Sequence, residues 1–240
     1  MKITPLKKVL LLNLFGYGKN NMFIYGENTK GRKVLPIDRK DALPFILNIH
    51  YARRIPSISY AYGLFIDGKL VGCVTYGSPA SPSICKGVAG EEHRKDVLEL
   101  NRLVITDSSK NNASFLVGNS LKLLPKNKYI VSYADYEGWG HIGYVYQATN
   151  FLFTGLTDGH KDNFNNGKHN RHNGIDLNNR VMRNRKYRYI YITYSDRRKR
   201  KELMKALRYP VLEYPKGETR HYDLTNPKPY KELEVFSETD

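Results

Sequence analysis

"VLELNRLVITDSSKNNASFLVGNSLKLLPKNKYIVSYA", residues 97–134, holds two apolar β-like runs, 97–106 and 128–134. Between them lie a polar loop, DSSKNNAS, and a segment from 113 to 124. In that segment Leu116, Val117, Leu121 and Leu124 recur at helical spacing. A stripe of that period buries one face of a helix, and Pro125 stops it. A strand, a helix and a second strand form a crossover unit, whose two strands lie parallel. The protein is therefore expected to be α/β (α+β), with a mixed central sheet flanked by helices.

Outward from this unit the chain supplies the remaining elements. "AYGLFIDGKLVGCVTYG" places two apolar runs on either side of Asp67-Gly68, whose tolerance of positive φ makes a tight hairpin turn. Upstream, Asp41 is expected to cap a helix from about Ala42 to Arg54, with Pro44 in its first turn and Pro56 ending it. Ile46, Ile49, His50 and Arg53 would then share one side. The runs 9–15 and 22–25 read as short strands around a Gly/Asn turn. Lys7-Lys8 before "VLLLNLF" imitates a signal peptide, but no small-residue cleavage site follows, so a buried strand is expected. "SPASPSICKGVAGEEHRKD" reads as a loop. After the crossover come a short helix, "GYVYQATN", a strand, "FLFTGLT", and an exposed polar loop, 158–179. A Tyr-rich strand, "KYRYIYITYS", and a basic helix, "DRRKRKELMKALR", follow, and then a Pro-interrupted tail. The expected division is one catalytic domain over 1–195 and a basic, irregular extension over 196–240.

Charge narrows the function. Thirty-nine Lys and Arg against 23 Asp and Glu leave +16 over 240 residues. That balance calls for a polyanionic partner, nucleic acid above all; an inert basic surface is the alternative. The charge is concentrated: from Arg180 to Arg208 there are twelve Lys and Arg against two acids, interleaved with Tyr187, Tyr189, Tyr191 and Tyr194. Arg183, Arg185, Lys186, Arg188, Arg197, Arg198, Lys199 and Arg200 are the candidate phosphate contacts. The tyrosines alternate onto one strand face, where they can pack or stack. Cys73 and Cys85 read as reduced thiols of a cytoplasmic protein. No apolar run is long enough to span a membrane.

"SYADYEGWGHIGYVYQATNF", residues 132–151, concentrates chemistry in one strand–turn–helix unit. Asp135 falls at the C-terminal edge of a strand, where α/β sheets place ligands. It can be a base, a metal ligand or an orienting group. His50, from another element, is its natural partner, and the bland alternative is a structural His–Asp hydrogen bond. Tyr146 in the following helix can hold a proton for a leaving group or simply pack on the sheet. Tyr136 or Trp139, beside Asp135, could stack on a base. Arg102 can hold a phosphate or pair with Glu99, and Ser114 can bind an anion or cap its helix. His141 between glycines is expected to be exposed, touching DNA or nothing. His160, His169 and His172 lack the partners a zinc site needs.

The element order resembles that of acyl-CoA-dependent N-acyltransferases of the GNAT type. The words "HYARRIPSISYAYGLFIDGKLVGCVTYGSPAS", "LELNRLVITDSSKNNASFLVG" and "IVSYADYEGWGHIGYVYQATNF" together resemble the Mom family of bacteriophage DNA-modification proteins, over about residues 45–157. That resemblance implies a GNAT-like fold and modification of the N6 amine of adenine to a carbamoylmethyl (glycinamide) group, which protects the DNA from restriction. It implies acetyl-CoA or a related acyl donor and a bound iron. Residue by residue it carries function to His50 and Tyr51, to Asp135 and Tyr146 as catalytic groups, and to Ser114, with Asn112 and Arg102 beside it, on the donor side. His50 and Asp135 would be the metal pair. Double-stranded DNA is the expected partner, in the cytoplasm of an infected bacterial host, and modification inside a duplex requires flipping the base. Two rivals remain: a GNAT acyltransferase acting on a small-molecule or protein amine, and a DNA-binding protein without catalysis.

Overall fold

The computed structural model of the protein describes residues 31–107, 109–159, 161–163, 180–182 and 184–218. The expected strands at 9–15 and 22–25, Arg183, and His160, His169 and His172 lie outside the described residues, as does the tail from 219.

Seven strands form one sheet. In chain order they are β1 (Arg32–Pro36), β2 (Tyr60–Ile66), β3 (Lys69–Gly77), β4 (Val97–Ile105), β5 (Tyr129–Ala134), β6 (Leu152–Leu156) and β9 (Tyr187–Ile192). The short β7 (Lys161–Asn163) and β8 (Arg180–Met182) pair apart from it. The spatial order is β1-β2-β3-β4-β5-β9-β6, and β4 with β5 is its parallel pair. Helix α3 (Asn112–Leu123) makes the crossover between them, as its stripe predicted. The β2–β3 hairpin turns at Asp67 (φ 48°) and Gly68 (φ 79°), the left-handed pair that the Asp-Gly dipeptide supplies.

Helices cover both faces. Leu116, Val117 and Leu121 of α3 bury against Tyr62, Leu64, Val74, Tyr76, Leu100 and Ile130. Tyr187, Tyr189 and Tyr191 pack on this same face, so the Tyr-rich strand spends those rings on the core. The opposite face carries α1 (Arg39–Pro44), whose Ala42 packs with Ile46 on Ala61, Cys73 and Val104. It also carries α2 (Pro82–Ala89) and α6 (Arg197–Ala206), which place Val88, Ala89 and Leu203 against Val97, Tyr129, Val131 and Ile190. The Tyr129 hydroxyl donates to the Leu203 carbonyl at 2.8 Å, fixing α6 at the start of β5.

Two expectations are corrected. The helix expected over 42–54 starts earlier, with Asp38 in the N-cap position, and ends at Ile49 through a wider π-turn, Phe45–Ile49. Pro44 lacks the N–H that would continue the α ladder. The chain then leaves the helix because the His50 ring accepts the Ala52 N–H at 3.0 Å and the His50 carbonyl accepts the Arg53 N–H at 3.0 Å. His50 and Arg53 thus sit in a turn, not on a helix face. The segment read wholly as loop, 78–96, contains α2: Ser81 stands in its N-cap position, Pro82 opens its first turn, and Gly90 (φ 79°) ends it.

Candidate active site

The site is made by a gap in the sheet. β4 and β5 pair only through Val97–Tyr129, Leu98–Ile130 and Glu99–Val131. Beyond that point β4 continues to Ile105 and β5 to Ala134 without pairing to each other. The cause lies on the other side of β4. Its register with β3 passes from Tyr76–Leu100 to Thr75–Arg102, so Asn101 is the extra residue of a bulge, and a bulge bends the strand that carries it. The Thr75 hydroxyl donates to Asn101 Oδ1 at 2.7 Å, and Asn101 Nδ2 donates to the Ser57 carbonyl at 2.7 Å. Inside the gap the Ser132 hydroxyl donates to the Leu100 carbonyl at 3.0 Å, standing in for a ladder bond.

Tyr146, on α5 (Tyr144–Ala148), enters the gap from the α3 face and shares a hydrogen bond with the Ser132 side chain. Burial pushes its phenol up to about 12, the nearby Tyr51 and Glu99 add to the rise, and the Ser132 contact opposes it. The phenol therefore keeps its proton at neutral pH. Four groups approach from the other side. Glu99 is held above the usual carboxylate range by burial, against the pull of Arg102, Lys186 and the Ala80 backbone. The Tyr133 phenol is raised by burial and by Glu99. Tyr51 stacks on His50, with ring centroids 4.4 Å apart. Arg102 donates from Nη1 to the Asn101 carbonyl at 2.6 Å and from Nη2 to the Arg54 carbonyl at 3.0 Å.

His50 is neutral. Burial, and then the Arg102 charge, bring its imidazole down to about 3. Since Nδ1 accepts from Ala52, the neutral ring carries its proton on Nε2. Asp135 follows β5 and caps α4 (Tyr136–Trp139): its Oδ1 accepts the Gly138 N–H at 3.1 Å. Among the described residues no hydrogen bond or ion pair joins His50 to Asp135, so they do not form a direct structural His–Asp hydrogen bond. Nor do three His, Cys, Asp or Glu side chains converge anywhere among the described residues. With its Nε2 protonated, His50 has no lone pair to offer a metal there. These residues do not fit the iron that the resemblance implied.

On the α3 face, a cleft of ≈470 Å³ is lined by Arg32, Asn111, Ser114, Phe115, Gly118 and Lys122 together with Thr149 and Tyr191. It opens beside the N-terminus of α3, where backbone N–H groups lack partners within the helix. Arg32 lies with its guanidinium carbon 4.5 Å from the Phe115 ring centroid, donates to Asn112 Oδ1 at 3.1 Å, and keeps a buried Nε with no protein partner. That orphaned donor and the helix end suit an anionic ligand such as a pyrophosphate, while Lys122, in the last turn of α3, donates to Asn119 Oδ1 at 3.2 Å. Ser114 lines the cleft and its hydroxyl donates to the Asn111 carbonyl at 3.1 Å. Asn112 is buried and donates to Asp107, so it builds the loop.

The basic candidates divide. Arg197, Arg198 and Arg200 project from the first turn of α6, with Arg198 93% exposed. Lys199 and Arg198 both approach Glu202, at 3.0 and 3.6 Å. Arg185 pairs with Glu137 at 2.7 Å. Arg188 is spent internally, donating to Thr154 Oγ1 at 3.1 Å and lying 3.3 Å from the Tyr209 ring centroid. Lys186 lies near Glu99. Tyr136 stacks on Tyr187 at 4.4 Å and keeps an exposed face, while Trp139 ends α4 half-buried. Sequence reading missed Glu99 as a site group, Ser132 and Arg32. Glu99 was visible only as a polar residue between Leu98 and Leu100.

Comparison with known proteins places this geometry. The chain is similar at low likeness to GNAT-family acetyltransferases: one from Bacillus cereus (14% identity, TM-score 0.37, covering 68% of this chain and 97% of that one) and an N-acetyltransferase from Staphylococcus aureus (15%, TM-score 0.41, 67% and 98%). Nothing of their chemistry is carried across at that level. A methylcarbamoylase, Mom, of Escherichia phage Mu is 31% identical over 212 residues, which cover 80% of this chain and 87% of that protein. The Mom protein family matches residues 32–175, a span that takes in β1, the α3 cleft, the gap between β4 and β5, and both His50 and Tyr146, and the chain belongs to that family.

Proposed function

We propose that this chain, a DNA-modifying transferase by its family, attaches a carbamoylmethyl group to the N6 amine of adenine in DNA. The observation that supports this most is the gap between β4 and β5. Tyr146 enters it from the α3 face, where the cleft along α3 also lies and reaches Thr149 just after Tyr146, and Glu99, Tyr133, Tyr51 and the polar loop from His50 approach from the other face. Donor and acceptor can thus meet through the sheet from opposite sides.

The residues around the cleft fit an acyl-CoA-type donor: Arg32, Ser114 and the α3 N-terminus would hold its pyrophosphate. When bound, such a carrier would supply a two-carbon unit as a thioester. Direct attack on its acyl carbon would give an N6-acyl amide and not the N6–CH2 bond of a carbamoylmethyl group, and an acetyl group also lacks the amide nitrogen, so only the class of carrier is proposed. Tyr146, protonated at neutral pH, is placed to give the leaving group its proton. Adenine N6 is a weak nucleophile because its lone pair is delocalised into the ring. Glu99, half-buried and raised above the usual carboxylate range, is the group proposed to take its proton. His50 Nε2–H is a donor, suited to orient the base and not to deprotonate it. Asp135 Oδ2, which accepts no hydrogen bond among the described residues, can hold the amine.

The basic helix α6 lies at the start of β5, about 20 Å of strand away from Asp135. That separation corresponds to roughly six base pairs along a duplex, so phosphates beyond the target can reach it. The test is nucleoside mass spectrometry of DNA from bacteria expressing the chain. Carbamoylmethyl-adenosine is expected, and its complete absence from the DNA of expressing cells refutes the reading.

A further inference from the structure

Between the helical segment that ends at Ile49 and β2 runs "HYARRIPS", residues 50–57. Its base is part of the site: His50 is lowered by Arg102, and Tyr51 lies near Arg102 and Tyr146. Its tip is exposed. Ile55 is 46% accessible, and it follows directly on Arg53 and Arg54, both exposed. Four residues separate Tyr51 from Ile55, so the tip lies within about 14 Å of the gap.

This loop is rigidly mounted. Arg102 Nη2 holds the Arg54 carbonyl at 3.0 Å, Asn101 Nδ2 holds the Ser57 carbonyl at 2.7 Å, and Ser59 N–H donates to the Tyr76 carbonyl at 2.7 Å. Pro56 fixes its own φ just after the tip. Gly77 of β3 lies so near that a Cβ there would meet the Ser57 carbonyl oxygen at 1.9 Å, so the loop backbone sits directly on the sheet. An apolar side chain presented on a fixed support, beside two exposed cationic ones, enters a partner without first losing loop entropy.

We propose that this loop enters duplex DNA, with Ile55 as a wedge that fills the stack vacated by the extruded adenine while Arg53 and Arg54 hold the flanking phosphates. This rests on the adenine-modification reading. Charge commits the occupant: two arginines beside the apolar tip, on a chain of net +16, favour a polyanion over a second copy of the same chain. Apolar wedges inserted between base steps are an established way to meet the cost of unstacking, and a buried N6 amine requires that its base leave the helix.

The experiment compares the full chain with Ile55→Ala and Ile55→Leu, whose folding is checked by melting temperature. Modified adenosine is measured in the DNA of expressing bacteria, and purified proteins are titrated with duplex and single-stranded oligonucleotides of one sequence. Ile55→Ala should lower duplex modification by about tenfold or more, the scale set by unstacking a base step. Ile55→Leu should retain most of it. Binding to single strands, which have no stack to enter, should be unchanged in both while Ile55→Ala weakens duplex binding. Equal modification by wild type and Ile55→Ala overturns the wedge, as does an equal loss of duplex and single-strand binding. If the wild-type chain leaves all adenine unmodified, the functional reading fails instead, and the binding comparison alone then decides the wedge.

Discussion

The neutral state of His50 makes a quantitative prediction about stability and pH. Its folded imidazole lies at about 3, depressed by burial and by Arg102, while the unfolded chain titrates near 6.5. Below pH 6.5 the unfolded state therefore binds a proton that the folded state refuses. The contribution is complete above 6.5 and is lost as pH falls toward 3. Each unit in that window is worth about 1.4 kcal/mol, so the fall from 6.5 to 5 should cost roughly 2 kcal/mol through this one residue. His50→Gln keeps an acceptor for the Ala52 N–H but has no proton to take up. Urea midpoints should be measured at pH 7.5, 6.5, 5.5 and 5 for both proteins. The wild-type curve should fall faster than that of His50→Gln by the stated amount, and modification activity should show no inflection near 6.5. Parallel curves would mean that His50 is not a buried neutral donor, and the orientation of the whole 50–57 loop would have to be reconsidered.

Tyr146→Phe keeps the ring that packs on Phe151 and Tyr189 and removes only the hydroxyl; it should cost about 1 kcal/mol in folding but about 10²–10⁴ in modification rate, read by nucleoside mass spectrometry against urea melts. Glu99→Gln should show a rate loss of the same order with duplex affinity unchanged. Acetyl-CoA should raise the melting temperature of the wild-type chain, and Ser114→Glu, which sets a negative charge in the cleft, should abolish that rise; no shift with the wild type refutes the donor cleft. Gly77→Ala, with its Cβ against Ser57, should lower stability by about 1–3 kcal/mol and depress activity by displacing the loop, in a urea melt and a modification assay run side by side. Neutralising Arg197, Arg198, Lys199 and Arg200 should flatten the slope of log affinity against log salt by about 3.6 if all four touch phosphate; an unchanged slope removes α6 from the interface.

The parts of the fold that sequence disclosed are those governed by local chemistry. The stripe Leu116, Val117, Leu121, Leu124 and the Asp67-Gly68 turn act within a few residues, and both stand where their patterns put them. The helix beginning at Pro82 carried its own markers, Ser81 before the proline and Gly90 after the last turn, but the surrounding Ser, Pro and Gly read as loop. The end of the first helical segment depends on the His50 ring accepting an N–H two residues on, a contact that helical periodicity does not register. The site shows the same division more sharply. Asp135, His50, Tyr51 and Tyr146 are polar residues in unusual positions and draw notice one by one. Glu99 does not, because a polar residue between Leu98 and Leu100 is what any half-exposed strand shows. Its importance arises from where β4 and β5 separate, and that is set by the Asn101 bulge, which is held in turn by Thr75 of β3 and by the Ser57 carbonyl. Asn101 thus fixes two things at once. It opens the gap that begins just past Glu99 and leaves Ser132 without a ladder partner on β4, and it anchors the loop that carries Ile55. Opening of the sheet and seating of the 50–57 loop are therefore coupled through one side chain, so Asn101→Ala should impair both the chemistry at the gap and the duplex binding assigned to the loop, whereas Tyr146→Phe should lower modification with duplex binding intact and Ile55→Ala should lower modification only through weakened duplex binding.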